Sequence, residues 1–209
     1  MNWMGSRRSV AARRAVLIVA TAAFAACNPP PPDEGGYVER VTQSRAAKDA
    51  EFQRTNDPVP ESRKSVVLPL TYYPVDPAFK VPAVLKPDPK APVVTMITST
   101  GTREEHRVLG TLEFTVKGQV LSLTAFASPD SRVFVPFQDQ TSGTETYGAG
   151  RYIDLTRTGT NVYEIDFNSA YNPYCYYSLA YVCPLPPKEN RLAVPIHAGE
   201  KIRPEAEKS

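Results

Sequence analysis

From Ser65 onward the chain breaks into short runs in which apolar and polar residues alternate, punctuated by Gly, Pro, Asn and Asp. A period of two puts every second side chain on one face of an extended strand, and such punctuation marks turns. Nine strands are expected on this basis, over 65–72, 79–85, 93–99, 106–116, 119–127, 132–137, 151–155, 161–167 and 191–197. Their length and spacing fit a mainly β fold, an antiparallel sandwich or barrel of about eight to nine strands. The clearest hairpin joins Leu112–Val116 to Gln119–Leu123 through Lys117 and Gly118. Gly118 can take the positive φ that the turn requires, and Leu112, Phe114 and Val116 then face inward. Over 161–167, Tyr163, Ile165 and Phe167 share one face while Glu164 and Asp166 share the other.

One helix is expected, over 37–55. That stretch has no internal Gly or Pro, is rich in Ala, Arg, Lys, Glu and Gln, and stops before Asn56-Asp57-Pro58. Its apolar positions Val38, Val41 and Phe52 make a thin stripe, which predicts light packing. The organisation that follows is an N-terminal helical piece (37–57), a single β domain (58–201) and a polar tail (202–209). No internal repeat or parallel βαβ pattern is evident.

The first 26 residues have a different pattern. Arg7, Arg8, Arg13 and Arg14 precede an apolar run, Ala15–Ala26, in the manner of a signal peptide. Twelve residues make a helix of only ~18 Å, too short for a bilayer core of ~30 Å. The run ends Phe24-Ala25-Ala26-Cys27, which resembles the lipobox of bacterial lipoproteins. That resemblance implies cleavage after Ala26 and diacylglycerol on the Cys27 thiol, a stable anchor once a second acyl chain joins it. Asn28–Gly36 (NPPPPDEGG) reads as a tether. The expected location is therefore the cell envelope, lipid-anchored and facing the periplasm or exterior, on the outer membrane where there is one.

Composition sharpens this picture. Prolines number 21 of 209, about twice the usual share, and thirteen precede residue 93, which disfavours long helices there. The formal charge is +2, but the leader carries four arginines and no acid. The mature chain keeps 20 bases against 22 acids, a charge of −2, so nucleic-acid binding is not expected. Three cysteines is an awkward number for an exported protein. With Cys27 lipidated, Cys175 and Cys183 remain to pair in an oxidising compartment. Closing that loop would contribute roughly 2.5 kcal/mol.

The remaining blocks carry a family resemblance. Leu70-Thr-Tyr-Tyr-Pro74, Phe137-Gln-Asp-Gln-Thr141, Thr146-Tyr-Gly-Ala-Gly-Arg-Tyr152, Asp166-Phe-Asn168 and Ala170-Tyr-Asn-Pro173 come first. Cys175, Cys183-Pro-Leu-Pro-Pro187, Asn190-Arg-Leu192 and Ala198-Gly-Glu-Lys201 follow in order. From about Pro58 to Lys201 the chain resembles domain-of-unknown-function family 1684. The resemblance implies a mainly β domain, often exported in bacteria, with no established activity. Ser169 departs from the Arg expected after the Asp-Phe-Asn block.

Candidate chemistry concentrates between Asp166 and Lys201, which holds five of the eleven tyrosines. Tyr147, Arg151, Asp166, Asn168, Tyr171, Asn172, Asn190, Arg191 and Glu200 are the ligand-binding candidates. Tyrosine combines a flat apolar body with a polar tip, which suits both packing and recognition of a sugar ring or peptide. Asp166 and Glu200 are weak candidates for an acid–base pair, since glycoside hydrolysis needs only two well-placed carboxylates. Against catalysis, the chain lacks G-x-S-x-G, H-E-x-x-H, C-x-x-C and a phosphate-cradling loop. The spacing of Cys175 and Cys183 with His197 is not that of structural zinc, so no metal or cofactor is expected. The first reading is a non-catalytic β domain binding an envelope glycan, peptide or protein; the alternative is an envelope hydrolase acting on a glycan or related polymer. Intact mass spectrometry of the protein purified from bacterial membranes tests the export reading. We expect acyl mass on Cys27 and a mass lower by two hydrogens for the Cys175–Cys183 bond; an unacylated chain with two alkylatable thiols contradicts it.

Overall fold

The longest strand, β3 (Arg103–Val116), organises the sheet. In a computed structural model, which describes Met1 and residues 34–203, β3 returns as β4 (Gln119–Ala127) through the Lys117-Gly118 turn. Both turn residues have positive φ (46° and 80°), the geometry that matches a tight hairpin to strand twist. On its other edge β3 pairs in series with β1 (Lys80–Pro87) and β2 (Val93–Ile97), β1 lying along its C-terminal half and β2 along its N-terminal half. A bulge between Val108 and Gly110 sits where one partner gives way to the next. The strands β5 (Val133–Phe137), β6 (Arg151–Leu155) and β7 (Val162–Asp166) complete an antiparallel sheet of order β6-β5-β4-β3-β1-β7, with β2 on β3. The protein is thus mainly β, a single curled sheet and not two sheets packed face to face.

The alternation places the core as expected. Leu112, Phe114 and Val116 are buried and pack with Leu123, Val135, Phe137, Ile153, Tyr163, Ile165 and Phe167. Leu192, Ile196 and Ala198 of the C-terminal segment join the same cluster. A second cluster gathers Phe52, Val59, Val67, Leu70, Tyr176, Tyr177 and Ile202.

Seven of the nine expected strands form, and two do not. Within 65–72, helix α2 (Glu61–Val67) takes the first residues, with Glu61 in its first turn and Pro60 just before it. The apolar run Val66–Leu70 reads as a strand but is helix end and loop that bury Val67, Leu68 and Leu70 in the second cluster. The rest is a short pairing, with Tyr72 opposite Glu200, Tyr73 N donating to Gly199 O and Lys201 N to Thr71 O. Residues 191–197 alternate like a strand, yet make only one bridge, Arg191 to Gln138. Pro195 lies inside that stretch and has no N–H to give a ladder.

Helix α1 spans Glu34–Arg54 and is joined by α2, so it is not the only helix. The stripe expected of it is corrected. Val38 is exposed, and the inward face runs Tyr37, Val41, Arg45, Lys48 and Phe52, a stripe whose middle is polar. The helix belongs to the same compact unit as the sheet. No described helix is long and apolar enough to cross a membrane. The expected leader, Cys27 and the tether through residue 33 lie outside the described residues, as do residues 204–209.

Candidate functional site

Ile196–Lys201 runs over the sheet and pairs only with the short Thr71–Tyr73 stretch, through Tyr72 opposite Glu200. Its backbone carbonyls still need donors, because a buried unpaired carbonyl is costly. Arg151, first residue of β6 and 1% exposed, supplies them. One guanidinium nitrogen donates to Ala198 O and to Glu200 O (3.2 Å), and the other to Ile196 O (3.0 Å). The charge is balanced by Asp139 at 2.8 Å, whose side chain is fully buried. The second Asp139 oxygen accepts from Thr141 N (2.7 Å), Thr141 Oγ1 (2.6 Å) and Ile196 N (3.3 Å). Gly199, at φ +80°, completes the turn; a Cβ there would lie 2.6 Å from Ala170 O. Arg151 is therefore an internal clamp with no face for a ligand.

Glu200, 1% exposed, is delivered by that clamp to the underside of α1. Its carboxylate accepts from Lys48 Nζ of the helix, from Tyr177 Oη (2.6 Å) and from Asn172 N (2.8 Å). Burial, reinforced by Glu200, pushes the Tyr177 phenol well above its ordinary range and keeps it a donor. Lys48 Nζ also lies 5.2 Å from the Phe52 ring and 5.3 Å from the Tyr171 ring. Asp49 accepts from Leu70 N at 2.7 Å.

A second knot forms at the end of β7. Asp166 Oδ1 accepts from Asn168 N (2.9 Å), capping a single 3-10 turn, and from Tyr37 Oη (2.8 Å). Asn168 is fully used: its amide donates to Tyr37 Oη (3.0 Å) and Asp76 O (2.8 Å) and accepts from Asp76 N (3.0 Å). Arg45 donates to Tyr73 O (2.8 Å) and Asn168 O (3.0 Å) while stacking 4.5 Å over Tyr72. Ser169 Oγ, where the family pattern suggests Arg, donates to Asp166 Oδ2 at 3.2 Å.

These contacts enclose a cleft of about 450 Å³ between α1 and the sheet, lined by Asp166, Asn168, Tyr171 and Glu200 from the expected set. Sequence reasoning missed its other wall, which includes Tyr37, Arg40, Arg45, Lys48 and Tyr72. The spacing of three to four among Tyr37, Val41, Arg45, Lys48 and Phe52 was the available signal. An apolar-only count of the helix passes over it because three of the five are polar or amphipathic. An adjoining groove of about 590 Å³ shares Lys48 and Tyr171 with the cleft.

The other expected residues lie elsewhere. Asn190 is fully buried and bonds Thr124 N, Thr124 O and Pro136 O, tying its loop to β4 and β5. Asn172 holds Lys201 O at 3.1 Å, Arg191 is exposed, and the Tyr147 ring packs 5.2 Å from that of Tyr176. Cys175 and Cys183 are buried free thiols placed side by side, with Cys175 N donating to Cys183 Sγ at 3.1 Å. Hydrogen bonding from the Cys183 thiol lowers the Cys175 thiol to about 7, and the same bond raises Cys183. Among the described residues no cluster of three His, Cys, Asp or Glu side chains forms a metal site.

The clamp generates a stability prediction. Arg151→Met leaves Asp139 buried without its counter-charge and strips three carbonyls of donors, at a cost of about 3–5 kcal/mol in urea unfolding. Adding Asp139→Asn should recover part of that loss. A cost below about 1 kcal/mol would contradict the clamp.

The geometry can be set beside known proteins. No curated protein matches the chain. Among solved structures, the solution NMR structure of an uncharacterized protein from gene locus rrnAC0354 of Haloarcula marismortui is 31% identical, with a TM-score of 0.64. The match covers 83% of this chain and 98% of that one. Residues 68–201 match the family described as protein of unknown function (DUF1684), and the chain belongs to that family.

Proposed function

We propose that this protein is an envelope lipoprotein, held to the membrane through lipid on Cys27, whose β domain binds an envelope glycan, peptide or protein and does not transform it. The lipobox-like Phe24–Cys27 and the even cysteine count of the remaining chain support the anchor. The adjacency of Cys175 and Cys183 supports a disulfide in the exported protein, since Cys175 N already donates to Cys183 Sγ. Lys48 and Tyr171 line both the cleft and the groove, so a charged half and an aromatic half of one depression adjoin across these two side chains. That adjacency is the observation that carries the binding reading.

Catalysis is disfavoured by the state of the two carboxylates. A general acid or base must exchange its proton with substrate, and it needs an open lone pair or proton facing the cleft. Glu200 is held by three fixed donors from within the protein, and Asp166 by Tyr37, Asn168 and Ser169. Both nevertheless line one cleft, the observation that keeps a glycan hydrolase as the second reading.

Thermal unfolding of the full exported chain with cell-wall sugars and peptides separates the two. A bound fragment at a hundredfold excess over its Kd should stabilise by about 2.7 kcal/mol and raise Tm by several degrees. No new reducing ends should appear. Turnover abolished by Glu200→Gln would replace the binding reading with the hydrolase, and absence of any shift across the panel would overturn it.

A further inference from the structure

The aromatic half of the depression has a chemistry of its own. Phe52 of α1, Tyr171, and Tyr174 and Tyr181 of the cysteine loop give it ring surface. The rings of Tyr174 and Tyr181 meet edge to face, 5.2 Å apart at 72°, an arrangement that leaves ring face uncovered. Tyr174 is 44% exposed, unusual for an aromatic serving only the core. Its volume of about 590 Å³ falls within the range of about 300–1,000 Å³ of small-ligand sites.

A polar pair stands at the rim of these rings. Asp154 Oδ2 accepts from Tyr171 Oη (2.7 Å) and from Arg132 Nη1 (3.0 Å). A carboxylate offers about four lone pairs, so Asp154 retains acceptor capacity; the half-exposed Arg132 guanidinium gives Nε–H to Asp130 (2.5 Å) and one Nη1–H to Asp154, and keeps three of its five N–H donors. An acceptor beside a donor, set against ring faces, complements a group with an apolar face and adjacent hydroxyls at its edge. A pyranose ring has that form.

The backbone argues against an extended peptide. β6 ends the strand order, and its outer edge is paired at Tyr152, where Tyr152 N donates to Tyr171 O (2.9 Å) and Tyr171 N to Tyr152 O (3.0 Å). A peptide adding there as a strand would have to displace that bridge, so recognition falls to side chains. We propose that this groove is a sugar subsite, in which the exposed Tyr174 ring stacks on a neutral pyranose, Tyr181 flanks it edge-on, and Asp154 and Arg132 read two neighbouring hydroxyls. The proposal rests on the reading of the domain as a binding module.

Saturation-transfer NMR on the full exported protein tests it, using the N-acetylglucosamine trisaccharide, maltotriose and a proline-rich decapeptide as probes. At least one trisaccharide should bind, with transfer strongest on its ring C–H protons. Tyr174→Ala and Arg132→Ala should each weaken that binding about tenfold. Val120→Ser, on an exposed position of β4, should leave it unchanged. Both groove side chains are at least half exposed or nearly so, and an unaltered melting curve confirms that the variants fold. If one variant does not fold, Tyr181→Ala replaces it. Sugar binding indifferent to both groove substitutions overturns the subsite. So does binding of the decapeptide alone, an outcome that leaves the broader binding reading intact. No binding of any probe, with no stabilisation by any envelope fragment, removes both.

Discussion

The buried Arg151 guanidinium is the contact on which the rest of this molecule depends. The chain after Asn190 folds over the sheet with only isolated bridges, at Arg191 and Glu200, and the carbonyls of Ile196, Ala198 and Glu200 would otherwise be buried without donors. Arg151 takes all three, and Asp139 makes its charge tolerable in the core. A lone arginine there would be prohibitive, and the pair survives because its oxygens and most of its nitrogens are hydrogen-bonded. Fixing Ile196–Glu200 places the Glu200 carboxylate under α1.

That second buried charge then sets how the helix sits. Lys48 reaches down to Glu200, Tyr37 to Asp166, and Arg45 to backbone carbonyls on either side. An apolar face would have closed the gap between helix and sheet by packing. A face of long, amphipathic side chains spans it, which leaves the cleft and the tyrosine groove on either side of Lys48 and Tyr171. The depression is a consequence of docking a helix by polar contacts.

Much of the fold was legible in the chain. The β3–β4 hairpin and its turn, the inward sets Leu112/Phe114/Val116 and Tyr163/Ile165/Phe167, and the extent of β4 and β6 follow from alternation alone. Two misreadings share a cause: Val66–Leu70 and Leu192–Ile196 are apolar because they cover other elements, and periodicity records burial without recording hydrogen-bond partners. Asp166, Asn168, Tyr171 and Glu200 were named from composition and family blocks, but their joint cleft needs α1 as its other wall. Arg151 and Asn190 were conspicuous for the same reason they are unavailable to a ligand. A polar residue that fixes backbone deep in a core looks, in sequence, like one that waits for a substrate.

The helix is held by Glu200, whose side chain is 2% exposed against 25% for Lys48. A double-mutant cycle with Lys48→Met and Glu200→Gln, read by urea unfolding, measures that contact apart from the other effects of each change. A helix so held gives a coupling energy above about 1 kcal/mol, beyond the range of exposed pairs. A coupling within about 0.3 kcal/mol of zero would contradict it, and with it the origin of the cleft.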